Sequence, residues 1–229
     1  MGRAKEIKVK VIPAKIANDF VKKHHYSGKT GPNSQLHFGA FLDGQLHGVM
    51  SYGPSLDKTN VMRAVEGSTW NGFLELNRMA FDECLPRNSE SRCIAISLHM
   101  IKKQAPQVKW IVSFADGTQC GDGTIYRASG FHLTAVRKNT TIYEMPNGFR
   151  FADIGLRASS GNLRKKVGYK VGENFSSFLK RSGATKLTGF QLRYIYFLDP
   201  TYKEKLTCPI LPFSKIDDMN ARMYKGVKQ

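Results

Sequence analysis

Trp110-Ile111-Val112-Ser113-Phe114-Ala115-Asp116-Gly117-Thr118-Gln119-Cys120-Gly121-Asp122-Gly123-Thr124-Ile125-Tyr126-Arg127-Ala128-Ser129-Gly130-Phe131 is the stretch whose reading decides the fold. From Val108 to Ala115 the chain is almost continuously apolar, the pattern of a strand covered on both faces. Asp116 stands where that strand ends. Gly117, Gly121 and Gly123 then make a loop that permits positive φ and close backbone approach. Thr124 to Ser129 reads as a short helix stopped by Gly130, and Phe131 begins another strand. Open α/β sheets bind ligands beyond the carboxyl ends of their strands, so Asp116 is a candidate site residue.

Composition bounds the rest. A chain of 229 residues suits one α/β domain, with or without a small appendage, and buries a core without disulfides. Its 35 Lys and Arg against 18 Asp and Glu give a net charge of +17 and a pI near 9.8. Such an excess attracts polyanions. Neither a long apolar segment nor a membrane-type amphipathic one is found, so nucleic acid rather than membrane is the expected partner. Cys84, Cys93, Cys120 and Cys208 form no C-x-x-C pair, which argues against a zinc knuckle or a disulfide framework. No signal peptide is seen, and a cytoplasmic location with reduced thiols is expected. Cys120 sits in the site loop, but no base to activate it is identifiable.

Along the chain, Lys8 to Ile12 reads as a first strand closed by Pro13, and Ala14 to Lys23 as an amphipathic helix. His25 and Tyr26 follow its end. They are either partners of the helix dipole or site residues. Leu36 to Leu42 and Gln45 to Tyr52, joined by Asp43-Gly44, form the clearest hairpin. His37 and His47 within it read as packing or surface residues. Ser55 to Asn71 is irregular, with Arg63 and Trp70 exposed. Phe73 to Phe81 reads as a central strand whose Glu75, Asn77 and Arg78 are costly to bury. Strict alternation would put Glu75 and Asn77 on one face and Arg78 on the other. The best helix opens after Pro86, with Asn88 or Ser89 as its cap and Ile94, Leu98 and Ile101 as its buried stripe.

Phe131 to Tyr143 alternates into one long strand, and Gln191 to Leu198 is a second strongly β-like run ended by Asp199-Pro200. Between Leu163 and Lys186 lie Arg164, Lys165, Lys166, Lys170, Lys180, Arg181 and Lys186, with Glu173 the lone acid. Interleaved with Tyr169, Phe175 and Phe178, they form either a nucleic-acid face with rings for base stacking or a solvated basic loop over core aromatics. Leu211 to Lys228 reads as a short packed helix.

The ending Ile125-Tyr126-Arg127-Ala128-Ser129-Gly130-Phe131 resembles the helix–tyrosine–Gly-Phe–strand close of the GNAT acyltransferase fold. With His25-Tyr26 and Leu76-Asn77-Arg78-Met79, the chain from about Ile12 to Lys225 resembles the phage Mom family of DNA-modification proteins. These put a carbamoylmethyl group on the N6 amine of adenine and so protect DNA from host restriction enzymes. The resemblance implies an α/β fold, GNAT-like, with a central twisted mixed sheet flanked by helices and a basic C-terminal extension. Residues 1–150 would form the catalytic core, and 151–229 a basic portion that completes the sheet and contacts double-stranded DNA, within one compact domain.

It also implies roles. Asp116 would accept the N6 protons, Tyr126 would protonate the leaving group, and Arg78 would stabilise an oxyanion or a phosphate. His25 and Tyr26 would shape the base pocket. His25, Asp116 and Tyr126 are all metal-capable, and an iron site is implied for the family. In GNAT proteins the start of the third helix carries Arg/Gln-x-x-Gly-x-Gly/Ala for the donor's pyrophosphate. No glycine occurs between Glu75 and Ile101, so Arg87, Asn88, Ser89 and Arg92 remain as the candidate donor site. Acetyl-CoA and glycyl-tRNA are the two candidate donors. A glycyl group and a carbamoylmethyl group add the same atoms, and a tRNA would suit the missing glycines and the basic surface.

Two other readings stand beside this one. Asp199-Pro200-Thr201-Tyr202 is similar to the Asp-Pro-Pro-Tyr motif of N6-adenine methyltransferases, but it lacks the second proline and a Phe-x-Gly-x-Gly loop, and a turn explains it better. A non-enzymatic DNA- or RNA-binding protein would explain the charge. It leaves the polar residues buried at Glu75 to Arg78 unexplained.

Overall fold

Strand β1 (Lys8–Val11), helix α1 (Ala14–His24) and strands β2 (Leu36–Leu42) and β3 (Gln45–Gly53) open the chain. The computed structural model describes residues 3–118, 121–157, 161–224 and 227–228. Asp43 and Gly44 have φ of 51° and 81°, as a two-residue hairpin turn between β2 and β3 requires. A short helix α2 (Lys58–Met62) precedes β4 (Phe73–Phe81), and α3 (Ser89–Gln104) leads to β5 (Trp110–Asp116).

After the loop, α4 (Thr124–Ala128) ends as the sequence indicates. Gly130 has φ of 80°, its N–H bonds the Arg127 carbonyl, and the Phe131 N–H bonds the Tyr126 carbonyl at 3.0 Å. That double closure is a Schellman motif. β6 (His132–Asn139), β7 (Ile142–Glu144) and β8 (Arg150–Ala152) follow, then α5 (Asp153–Arg157), α6 (Gly161–Val167) and α7 (Phe175–Ser182). The chain finishes with β9 (Thr185–Lys186), β10 (Gly189–Phe197), α8 (Ser214–Asp218), β11 (Met223–Tyr224) and β12 (Val227–Lys228). No described helix is long and apolar enough to cross a membrane.

Seven strands form one mixed sheet in the order β1-β2-β3-β4-β5-β10-β6. Every pairing in it is antiparallel except β4 with β5. Helices cover both faces. On one, Ile94, Leu98 and Ile101 of α3 and Tyr126 of α4 pack with Tyr52, Ile111, Leu192 and Tyr194. On the other, α1 buries Ala17, Phe20 and Val21 against Val49 and Ala80, while Val61 of α2 joins Phe73, Trp110 and Ile195. Phe73 and Trp110 stack with ring centroids 4.3 Å apart, a contact worth about 0.5–1.5 kcal/mol beyond its buried area. This is the central mixed sheet flanked by helices that the sequence implies. Its C-terminal strand β10 is inserted between β5 and β6.

Two departures place the site. β4 and β5 pair only at Phe73↔Trp110, Leu74↔Ile111 and Glu75↔Val112, so the strands part beyond Glu75 and leave a gap in the sheet. Within β4, Arg78 faces Ser51 and Leu76 faces Tyr52, which makes Asn77 the extra residue of a β-bulge. Strict alternation therefore fails. The bulge turns Glu75, Asn77 and Arg78 to the same side.

The expected long strand from Phe131 to Tyr143 is likewise two strands. The Asn139 side-chain carbonyl accepts from the Thr141 N–H at 3.2 Å and hydroxyl at 2.9 Å, an Asx turn that ends β6. β7 then joins a separate three-stranded sheet, β8-β7-β9, over its own core of Tyr143, Phe151, Leu156, Val167 and Phe178. Two smaller expectations are also corrected. Asn88 precedes α3 with a left-handed φ of 68° and no side-chain cap, and the Ser89 hydroxyl donates to the Pro86 carbonyl. The tail holds α8, as expected, but then the strand pair β11 and β12.

Candidate active site

A cleft of about 840 Å3 opens between the end of the β4–β5 gap and the three-stranded sheet. Tyr26, Glu75, Asn77, Arg78 and Asp116 line it. Five basic residues, Lys29, Arg78, Arg137, Lys138 and Arg150, face two acids, Glu75 and Asp116. The excess of basic side chains gives the cleft a positive potential suited to an anion.

Asp116, at the end of β5, is held by its neighbours. Its Oδ1 accepts from the Thr118 N–H at 3.0 Å and from Asn139 Nδ2 at 3.2 Å. Arg150 fixes the start of the following loop, donating to the Thr118 carbonyl at 3.2 Å and to Glu144 Oε2 at 2.6 Å. Gln119 and Cys120 lie outside the described residues.

Arg78 is anchored through Nε to the Lys29 carbonyl at 3.1 Å and through Nη1 to the Asn77 carbonyl at 2.7 Å. The chain between α1 and β2 crosses close above it. A Cβ on Gly53 would stand 2.2 Å from the Asn33 carbonyl oxygen, so only glycine fits beneath that crossing. Glu75 is pushed above the usual carboxylate range by burial, against hydrogen bonds from Ser55 and Asn77 and the charge of Arg78. A carboxylate so raised is matched to proton transfer nearer neutral pH. Burial and the charges of Lys166 and Arg78 lower Lys29.

His25 lies beside the cleft, with its ring 4.2 Å from that of Tyr26. Tyr26 is 54% exposed at the cleft wall and offers a face to a planar ligand. His25 Nδ1 is 2.8 Å from the Ser27 hydroxyl and accepts from the Ser27 N–H at 3.2 Å. With the backbone donating to Nδ1, the ring proton belongs on Nε2. Burial and Arg78 lower the His25 pKa from 6.5 to about 4. The unfolded chain therefore gains this proton near pH 6.5, and the folded one only near pH 4. Stability that His25 supports above 6.5 is lost as pH falls through that window. Thermal melts of His25→Asn are expected to show a smaller loss between pH 6.5 and 4 than the wild type; an equal loss would contradict the burial of a neutral ring.

Tyr126 stands elsewhere. It is packed on the α3/α4 side of the sheet, with ring centroids 5.3 Å from Tyr194 and 5.5 Å from Phe131. The Tyr52 hydroxyl nearby donates to Ser97 at 2.6 Å, and Tyr194 donates to the Asp122 carbonyl. Tyr126 thus belongs to the α3/α4 core and is not among the described residues that line the cleft. Of the expected iron set, Asp116 lines the cleft, His25 lies beside it and Tyr126 packs in the α3/α4 core.

The candidate donor residues divide similarly. Asn88 and Arg92 border a second groove of about 640 Å3, closed on its other side by Ala128 and Ser129 of α4. Arg92 donates to the Lys5 carbonyl at 3.4 Å, and its buried Nε has no hydrogen-bond partner among the described residues. Arg87 is exposed, whereas Ser89 is fully buried and its hydroxyl is engaged by Pro86.

In the basic segment, Lys165, Lys166, Lys170 and Lys180 are exposed. Lys166 lies 4.0 Å over the ring of Phe149 on the cleft wall. Arg164 is tied inward to the Leu156 carbonyl at 2.6 Å, while Arg181 is exposed and pairs with Glu173 at 2.8 Å. Phe178 belongs to the core under the three-stranded sheet, and Tyr169 and Phe175 are partly buried against it. Asp199 caps a turn by accepting from the Thr201 N–H at 3.2 Å and hydroxyl at 2.7 Å, which accounts for the methyltransferase-like tetrapeptide.

The sequence reading missed Glu75 as a site residue, together with Arg137, Asn139 and Arg150. The polar end of β6, Arg137-Lys138-Asn139, was the available signal, since it breaks an otherwise apolar alternation beside the Asp116 strand.

The model of the Mom protein family matches residues 6–215. The methylcarbamoylase Mom of Escherichia phage Mu is 34% identical over 204 residues, covering 89% of this chain and 80% of that protein. Among solved structures, an N-acetyltransferase of Staphylococcus aureus Mu50 superposes with a TM-score of 0.47 at 9% identity, covering 84% of this chain and 99% of that one. A Bacillus subtilis acetyltransferase in complex with CoA gives 0.46 at 11% identity, covering 83% and 98%.

Proposed function

The chain belongs to the Mom protein family, and from that premise we propose that it modifies the N6 amine of adenine in double-stranded DNA, giving N6-carbamoylmethyladenine. The observation that carries this reading is the bulge in β4. It brings Glu75, Asn77 and Arg78 to one side, in a basic cleft shared with Asp116 and Tyr26. That cleft combines what the reaction needs. The adenine amine is a weak nucleophile inside a stacked duplex, so the base is extruded, stacked on an aromatic ring and read by polar groups. Tyr26 supplies the ring. Lys29, Arg137, Lys138 and Arg150, with the exposed lysines from Lys165 to Lys180, hold the backbone phosphates.

The N6 nitrogen forms a bond to carbon of the donor and sheds a proton to Asp116 or Glu75. Arg78 stabilises negative charge developing on the donor oxygen. The donor approaches from the α3/α4 face through the β4–β5 gap, where Tyr126 can protonate the departing group. Glycyl-tRNA presents an activated carbonyl to that gap: N6 displaces the tRNA 3′ oxygen, which takes the proton from Tyr126, and the resulting glycyl amide rearranges to its isomer carbamoylmethyl. Acetyl-CoA would deliver an acetyl group and needs a separate nitrogen source, so isotope label in one donor or the other distinguishes them. N6 faces the major groove, where restriction enzymes read it, so a substituent there blocks recognition.

The test is nucleoside mass spectrometry of DNA from cells expressing the chain. Adenosine is expected to gain about 57 daltons, the mass of C2H3NO, on its N6 nitrogen. A gain of about 14 daltons would instead indicate methyl transfer, and no gain would indicate a DNA-binding protein without chemistry.

A further inference from the structure

His47 of β3, with Asp82 and Cys84 in the turn after β4, places a ring nitrogen, a carboxylate oxygen and a sulfur within 4.8 Å of one another. No sequence motif announces this group, because β3 and the turn are separated by the whole of β4. The fold assembles it. His47 Nδ1 lies 2.9 Å from Asp82 Oδ2, and the Asp82 N–H donates to the His47 carbonyl at 3.0 Å. Asp82 Oδ1 accepts from the Cys84 N–H at 3.0 Å, which holds the turn so that the thiol returns toward the pair. A His–Asp hydrogen bond alone would account for two of the three side chains. It gives no reason for the thiol to converge on them.

We propose that His47, Asp82 and Cys84 bind a divalent cation of the zinc class. One imidazole nitrogen, one carboxylate oxygen and one thiolate suit zinc, with water in the fourth position. Bond lengths of about 2.0–2.3 Å in a tetrahedron set ligand atoms roughly 3.3–3.8 Å apart. The 2.9 Å His–Asp separation needs to open slightly, and exposed Cys84 needs only to rotate inward. On binding, the thiol releases its proton to solvent, and His47 keeps its proton on Nε2 while Nδ1 takes the metal. Two anionic ligands then cancel the 2+ charge.

This site is separate from the cleft. Asp82 lies four residues beyond Arg78, roughly 13 Å of strand. His24, the last residue of α1, is near enough for its charge to act on Asp82. A bound cation therefore ties the start of β3 to the β4–α3 connection, beside the end of the helix that carries His25 and Tyr26 into position.

The test uses the full chain, stripped with EDTA and titrated with cobalt(II). One equivalent is expected to produce a thiolate-to-cobalt charge-transfer absorption, displaced by zinc, and zinc alone is expected to raise the melting temperature. Cys84→Ser, in an exposed turn, should abolish that absorption and weaken zinc binding more than about 100-fold, since removing even an outer partner of a ligand costs 10–100-fold. Cys208→Ser should retain both. Absence of the absorption in the wild type, its survival in Cys84→Ser, or its loss in Cys208→Ser would each overturn the proposal. Adenine modification is not the readout, so failure here leaves the proposed function standing.

Discussion

Asp116→Asn is expected to lower adenine modification by about 10²–10⁴-fold, the range of a lost proton acceptor, with little change in DNA binding. The substitution keeps the shape and one hydrogen-bonding oxygen for Thr118 and Asn139. It removes the charge that, in the proposed mechanism, draws the N6 proton. Quantitative nucleoside mass spectrometry after a fixed expression time measures the loss, and a DNA-binding titration on the purified variant checks retention. A modification level within a few-fold of wild type would remove Asp116 from the chemistry and leave it a loop anchor.

Glu75→Gln is the second large effect, and its signature is a pH profile. Burial raises the Glu75 pKa, so its basic form appears only as pH climbs above the usual carboxylate range. If Glu75 takes or relays the proton, the wild-type rate rises with pH through that raised value. The Gln variant is expected to lose about 10²–10⁴-fold in rate and to lose that limb of the profile. Stability moves the other way. A carboxyl raised in the folded state is favourable when protonated, and that advantage disappears as pH rises through the folded pKa. Gln stays neutral, so the variant is expected to melt no lower than wild type at neutral pH. A rate loss accompanied by a lower melting temperature and an unchanged profile would mark Glu75 as structural.

The elements were legible where local chemistry determines them. Asp43-Gly44 dictates a positive-φ turn, Gly130 a Schellman closure, and the apolar run to Ala115 a buried central strand. Asp116 was legible for the same reason, because a charge that ends such a run must lie at an opening. What stayed hidden depends on pairing between distant segments. Nothing in Leu76-Asn77-Arg78 says that β3 will oppose it with one residue too few, yet that bulge sets which side chains meet in the cleft. Nor does the alternation through Asn139 show that its carbonyl will bond Thr141 and send β7 to another sheet. The aromatics among the basic residues looked available to bases. Their burial comes from a core that forms only once β7, β8 and β9 have paired.

The most direct test of the account offers the purified chain, with a labelled donor extract, two duplexes that differ at one atom group. One carries adenine, and the other carries purine, which lacks the exocyclic amine. Label is expected in the base of the adenine duplex alone, and Asp116→Asn should leave both unlabelled. Label in the purine duplex, or equal label with Asp116→Asn, would contradict transfer to N6 from this cleft.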